Sequence, residues 1–116
     1  MSVSRGTMAS DDEMKDVPLT SVDFEVFGKV QGKSLGGCYF TKYTRDLCRS
    51  LGIGGWVKNS KNGTIMGKMQ GPKPYVEQMA HWLTTVGSPG CEIHHTEFTN
   101  WETIRRPSYG AFQIRF

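Results

Sequence analysis

The sequence predicts one α+β domain, a split βαβ sandwich in which a mainly antiparallel sheet of four to five strands carries two helices on one face. Apolar residues recur at three- and four-residue spacing in two separate segments, as is typical of amphipathic helices. The flanking segments alternate apolar and polar residues, as is typical of strands with one buried face. A chain of 116 residues, 37% of them hydrophobic, encloses one core rather than two.

The first strand follows a polar stretch. Residues 1–20 contain no sustained apolar period, so we expect a disordered N-terminal tail and place the domain at residues 21–116. Apolar and polar residues then alternate through Val22–Val26, which predicts a half-buried strand that ends at Gly28.

The next segment predicts a helix and a hairpin. Helical spacing of apolar residues runs through Phe40–Leu51, and Gly52 follows as a stop. The segments Ile53–Lys58 and Thr64–Gln70 then flank an Asn-Gly step, which tolerates positive φ and favours a hairpin turn. Two adjacent antiparallel strands are therefore expected.

The last third of the domain repeats the pattern. After two prolines, helical spacing covers Val76–Val86 and ends at Gly87. Strands are predicted near Ile93–Phe98 and in the alternating segment Phe112–Phe116. The resulting order, β-α-β-β-α-β with one extra strand, is that of a ferredoxin-like domain.

Composition excludes several classes of protein. Fourteen basic residues against eleven acidic ones give a net charge of +3, which is too small an excess to indicate nucleic acid. The strand Thr64–Gln70 also lacks the stacking aromatics of RNA-binding sheets. No apolar run is long enough to span a membrane. The three cysteines are Cys38, Cys48 and Cys91, and they form no C-x-x-C pair. We therefore expect their thiols to be reduced, in a cytoplasmic protein.

A glycine-bracketed segment between the first strand and the first helix predicts an anion site, which we call the cradle. Its glycines let successive backbone N–H groups converge on phosphate oxygens, and the following helix adds its positive dipole end. An ordinary strand-to-helix turn is the alternative. A nucleotide P-loop needs four residues between its glycines, and this segment has three. The cradle consists of Gly28, Lys29, Val30, Gln31 and Gly32.

Other candidate sites are weaker. The histidines His81, His94 and His95 lack the i, i+4 spacing of a helical metal pair, so no metal site is expected. Cys38 lies near the cradle, but no base accompanies it, which argues against a cysteine nucleophile.

Three motifs together resemble the acylphosphatase family, close to its muscle type. They are Phe27-Gly28-Lys29-Val30-Gln31-Gly32, Gly55-Trp56-Val57-Lys58-Asn59 and Gly63-Thr64-Ile65, within a match from about Ser21 to Phe116. The resemblance implies hydrolysis of a small acyl phosphate, without metal or cofactor, by a water that an asparagine orients. Asn59 matches that asparagine, and we expect Trp56 to be a core residue of its strand. We further expect a monomer that binds acyl phosphate or inorganic phosphate.

The chemistry of Asn59 is compatible with that role. An amide offers both a hydrogen-bond donor and an acceptor, so it positions water without taking up charge. Capping of the following turn is the alternative role for an asparagine at this point.

The chain departs from the family pattern in the cradle. The family places an arginine that grips phosphate directly after the phenylalanine that matches Phe40, and here Thr41 stands in that position. Five extra residues, Lys33–Gly37, also lengthen the loop. Lys33 and Lys42 are candidates for a replacement charge, although a lysine lacks the planar fork of arginine. The sequence therefore leaves two functions open, a hydrolase and a catalytically impaired anion-binding or regulatory module on the same fold.

Overall fold

The computed structural model describes residues 17–31 and 39–116. Most of the predicted tail and the loop residues 32–38 lie outside the described residues. Within these residues, five strands and two helices follow in chain order: β1 (Leu19–Lys29), α1 (Phe40–Ser50), β2 (Gly54–Asn59), β3 (Ile65–Pro72), α2 (Lys73–His81), β4 (Glu92–Ile104) and β5 (Gln113–Arg115).

The strands form one sheet in the order β4-β1-β3-β2-β5. β1 pairs antiparallel with both β3 and β4, β2 pairs antiparallel with β3, and β5 joins β2 in parallel. The predicted α+β class and the mainly antiparallel sheet are confirmed. Because β1 and β2 both run antiparallel to β3, they end at the same edge of the sheet. We call it the cradle edge; β1 reaches it at Lys29 and β2 at Asn59.

Both helices cover one face of this sheet. Alternate strand residues point into the core beneath them, and the apolar stripes of α1 and α2 complete it. The residues of this core that are less than 2% exposed include Phe40, Phe112, Ile53, Ile65, Met69, Met79 and Leu83.

The strand β1 is longer than the sequence predicts. It begins at Leu19 and continues past Gly28 to Lys29, because it pairs with β4 over nearly its whole length. Gly28 has φ +145° and lies opposite Ile93, where an added Cβ would collide with the carbonyl oxygen of Glu92. Its glycine is therefore required by the close approach of two strands. β4 likewise runs beyond the predicted Phe98.

The second helix widens before it ends. The amide of Gly87 donates to the carbonyl of Trp82, an i to i−5 bond of 2.9 Å that makes Trp82–Val86 a single π-helical turn. The hydroxyl of Thr96 on β4 donates to the carbonyl of Leu83 at 2.7 Å. The predicted extent of this helical segment is right, and its last turn is anchored to the sheet.

Trp56 is not a core residue, so that expectation is wrong. Val57 is fully buried beneath the helices, and strand alternation turns Trp56 to the opposite face. There its ring is half-buried, with the guanidinium of Arg115 at 4.8 Å and the ammonium of Lys58 at 5.9 Å from the ring centroid.

The cysteines differ from one another. Cys48 is a free thiol buried in the core, and burial raises the pKa of that thiol. Cys91 is disulfide-bonded, so the expectation of three reduced thiols is wrong for this residue. In the part of the chain that the structure describes, no helix is long and apolar enough to cross a membrane.

The central strand β3 depends on one glycine. An added Cβ at Gly67 would collide with the ring of Phe24 and with the backbone oxygen of Trp56, which belongs to the neighbouring strand. We expect Gly67→Ala to lower the free energy of unfolding by about 2 kcal/mol through overpacking, as measured by urea denaturation. Gly110→Ala is the matched control, because nothing lies within 4 Å of its added Cβ. Equal unfolding midpoints for the two variants would contradict this account.

Candidate active site

The described part of the cradle begins inside a strand. Gly28 and Lys29 still pair with β4, so only Val30 and Gln31 lie beyond the strand end, and Gly32 lies outside the described residues. Val30 is 1% exposed and fixes the start of the loop in the core.

Gln31 ties this loop to the β2–β3 hairpin. Its side-chain Nε2 donates to the carbonyl oxygens of Ser60 at 2.8 Å and of Thr64 at 2.6 Å. Both protons of the amide are therefore used, and both bonds go to the turn that directly follows Asn59. The cradle and the hairpin are held as one unit.

A polar network organises the hairpin turn. The Ser60 hydroxyl accepts from the amides of Asn62 at 3.2 Å and of Thr64 at 3.1 Å, and it lies 2.6 Å from the Thr64 hydroxyl. Thr64 in turn donates to the Glu25 carboxylate on β1 at 2.7 Å. Because Thr64 uses its proton on Glu25, Ser60 donates to Thr64. The turn is thereby anchored to a second strand, and Gly63 adopts φ +88° as its Asn-Gly step predicts.

Asn59 is the last residue of β2 and pairs with Ile65. Val57, two residues earlier, is buried under the helices, so alternation places Asn59 on the helix-covered side of the sheet. Asn59 is exposed, and the turn is capped by Ser60 instead. The carboxamide is therefore available to a ligand or a water at the cradle edge.

The helix α1 begins at the same edge. Tyr39, its N-cap, has φ +51°, and among the described residues no side chain makes a capping hydrogen bond to this end of the helix. No acidic residue lies in the first turn, so the amides and the positive end of the dipole are not neutralised there. Phe40 is buried, Thr41 is half-buried and Lys42 is exposed. Lys33, the other candidate for a replacement charge, lies outside the described residues.

The histidines of β4 pair locally, and Lys29 is exposed at the end of β1. His94 lies 3.3 Å from Glu92, and His95 lies 3.5 Å from Glu97 and stacks on Phe27 with ring centroids 4.3 Å apart. Within residues 17–31 and 39–116, no group of three His, Cys, Asp or Glu side chains is arranged to hold a metal ion.

Three comparisons with known proteins decide the family. A family model described as acylphosphatase matches residues 22–114. The chain is 48% identical over 99 residues to a Bos taurus protein named acylphosphatase-2. The aligned residues make up 85% of this chain and 95% of that protein. The chain belongs to the acylphosphatase family. A Homo sapiens acylphosphatase-2 is similar at 47% identity over 98 residues, covering 84% of this chain and 94% of that protein.

Solved acylphosphatase structures share the fold. A Coxiella burnetii acylphosphatase aligns with a TM-score of 0.69 at 28% identity, covering 84% of this chain and 94% of that chain. A Bacillus subtilis acylphosphatase aligns with a TM-score of 0.71 at 21% identity, covering 84% of this chain and 99% of that chain. The predicted family and fold are both confirmed, and acylphosphatases are hydrolases of acyl phosphates.

The sequence did not point to the groups that hold this site together. Glu25 and Thr64 are 39 residues apart, and nothing in either segment links them before the strands pair. The only local signal was the presence of hydroxyl residues on both sides of the Asn-Gly step, which is typical of side-chain-bonded turns.

The Thr64 hydroxyl is the centre of the hairpin network, so its removal measures how much the network contributes to stability. We expect Thr64→Val, which keeps the shape, to lower the free energy of unfolding by about 1–2 kcal/mol, because Ser60 and Glu25 lose their partner. Chemical denaturation measures the effect. Thr103→Val, at an exposed strand position, is the control and should change stability by less than about 0.5 kcal/mol. A Thr64→Val protein as stable as the control would show that the network contributes nothing.

Proposed function

We propose that this chain is a metal-independent acyl-phosphate hydrolase that converts a small acyl phosphate and water into a carboxylate and inorganic phosphate. The observation that carries the proposal is the pair of hydrogen bonds from Gln31 to the turn that follows Asn59. They join the loop that would hold phosphate to the strand end that would position water. Phosphoryl transfer gains most of its rate from such prior positioning and from charge stabilisation.

The proposed reaction needs few groups from the protein. Backbone N–H groups of the cradle, Gly28–Gly32, where it continues beyond the end of β1, and those at the start of α1 would bind the phosphoryl oxygens. The Asn59 carboxamide would hold a water in line with the bond to be broken. As the water attacks phosphorus, the bond between phosphorus and the acyl oxygen breaks, and the carboxylate leaves with the bonding electrons. A carboxylate with a pKa near 4 leaves without a general acid, and the water's proton goes to the phosphate product or to solvent.

We further propose that the chain works as a monomer in the cytoplasm, without cofactor, nucleic-acid or membrane partner. On the face away from the helices, β3 presents Met66, Lys68 and Gln70, none of which offers an aromatic ring on which a base would stack. The ring of Trp56 lies on this face of the neighbouring strand β2, where Arg115 covers it.

A second function is favoured by one observation, the half-buried Thr41 in the first turn of α1. A threonine contributes one neutral hydroxyl where an arginine would bind two phosphate oxygens and spread charge. Loss of one such contact slows catalysis about 100- to 1,000-fold. On this alternative the chain is a catalytically impaired anion-binding or regulatory module.

Hydrolysis of benzoyl phosphate by the purified full chain tests the enzyme. We expect turnover above the uncatalysed rate, and we expect Asn59→Ala to lower kcat at least 100-fold because the water loses its orientation. Asn62→Ala, an exposed asparagine three residues away in the same turn, is the matched control and should keep its activity. No hydrolysis by a folded wild-type sample rejects the enzyme, and equal rates for the two variants reject the role of Asn59.

Titration with inorganic phosphate tests the second function. If the chain is a binding module, the amide NMR signals of Val30 and Gln31 and of the first turn of α1 will shift at saturating phosphate while benzoyl phosphate stays intact. A site whose signals do not move rejects anion binding. Signals that move together with turnover favour the hydrolase.

A further inference from the structure

Resting on the proposed function, the geometry points to Arg45 as the residue that grips the phosphoryl group in this chain. The reaction places developing negative charge on phosphoryl oxygens, and the two side chains proposed to face the reacting group, Asn59 and Thr41, are neutral. A cation held close to the oxygens adds to the stabilisation that backbone N–H groups give to that charge. The described residues supply few candidates.

Four of the five arginines within residues 17–31 and 39–116 are in the wrong place. Arg49, in the last turn of α1, donates through Nε to the Phe112 carbonyl at 2.8 Å. Arg115 lies over Trp56 on the face away from the helices. The remaining two, Arg105 and Arg106, follow β4, which ends opposite Leu19 at the far edge of the sheet. Arg45 remains.

Arg45 lies on the same flank of α1 as Thr41, one turn further along. The core stripe of this helix is Phe40, Thr44 and Cys48. Thr41 and Arg45 are each the next residue after a stripe residue, and both are half-buried. Residues four apart on a helix lie one above the other. Thr41, where the implied positive charge is missing, therefore lies one turn before Arg45 on the same flank of the helix.

This flank faces the strand that carries Asn59. Arg49, the next residue of the series, contacts the Phe112 backbone immediately before β5, which is the neighbour of β2. α1 begins at the cradle edge and leads into β2 at the opposite edge, so Thr41 and Arg45 lie towards the Asn59 end. Helical side chains lean towards the helix N-terminus, and an extended arginine covers the rise of about 5.4 Å of one turn.

The contacts of Arg45 leave its fork available. Its Nε donates to the Asp46 carboxylate at 2.9 Å, and the side chain is 29% exposed. This bond uses one of five donors, so the Nη groups are left to bind two phosphate oxygens. The pair with Asp46 lies at the surface, where ion pairs contribute little, so it yields readily to a phosphate dianion.

Two lysines near this edge compete with Arg45. Lys29 is exposed at the end of β1, and Lys42 lies on α1 itself. Lys42 is exposed, and it is turned about 100° around the helix from Thr41, where it lines a pocket with Tyr39, Tyr43 and Asp46. As a point charge it also lacks the fork that matches a phosphoryl group. Arg45 is therefore the better candidate, because it lies on the half-buried flank of the helix with Thr41.

The test compares Arg45→Gln, Arg45→Lys and the matched control Arg106→Gln in two assays, inorganic phosphate affinity by calorimetry and benzoyl phosphate hydrolysis. Thermal unfolding confirms that each variant is folded. We expect Arg45→Gln to weaken phosphate binding at least tenfold and to lower kcat/KM about 100-fold. Arg45→Lys should fall between wild type and Arg45→Gln, and the control should match wild type.

A rescue separates charge from structure. Thr41→Arg added to Arg45→Gln returns a guanidinium to the same flank, and we expect it to restore at least tenfold in phosphate affinity, which repair of a structural defect would not do. Phosphate affinity that is unchanged in Arg45→Gln overturns the proposal, as does loss in Lys42→Gln with Arg45→Gln intact. A wild type that binds phosphate through Arg45 without turnover rejects the hydrolase and leaves Arg45 as the anion-binding residue.

Discussion

The pairing of the central strand β3 with both β1 and β2 is the constraint on which the site depends. Since both partners run antiparallel to β3, they must end at one edge, however far apart they are in the chain. Val30, Gln31 and Asn59 are brought together by this rule alone. The start of α1 follows, because a helix that connects two parallel neighbours of one strand must begin where the first of them ends.

Polar contacts then convert proximity into rigidity. Gln31 spans from the β1 loop to two carbonyls of the hairpin, and the chain of hydroxyls from Ser60 through Thr64 reaches the carboxylate of Glu25 on β1. Each bond taken alone contributes about 1 kcal/mol, but they close a loop between two strands. Asn59 itself stays outside this network, so its carboxamide is exposed while its backbone is fixed in the sheet.

This chain departs from the family pattern in the positive charge at the cradle edge. The cradle edge has a helix start that its N-cap residue Tyr39 does not cap, an exposed asparagine and a threonine where an arginine is implied. The proposed use of Arg45 keeps a guanidinium on the same helix flank while moving its origin by one turn. Such a shift makes the placement of the guanidinium less precise. The Arg45 side chain has to reach further, and its bond to Asp46 competes with phosphate, so the guanidinium is less constrained.

The sequence by itself determined the periodic elements and the family, because helix and strand periods and glycine positions are written in neighbouring residues. It predicted the hairpin and both helices, and it placed the ends of the first two strands one residue early, at Gly28 and Lys58. It misjudged Trp56, because an alternating pattern does not say which of two faces the helices cover when a glycine-rich strand offers few markers. Only the tertiary structure decided that Gly28 serves the approach of β4, that Ser60 rather than Asn59 caps the turn, and that Glu25 supports Thr64. Each of these is a contact between segments that are distant in the chain, and such contacts exist only once the register of the sheet is set.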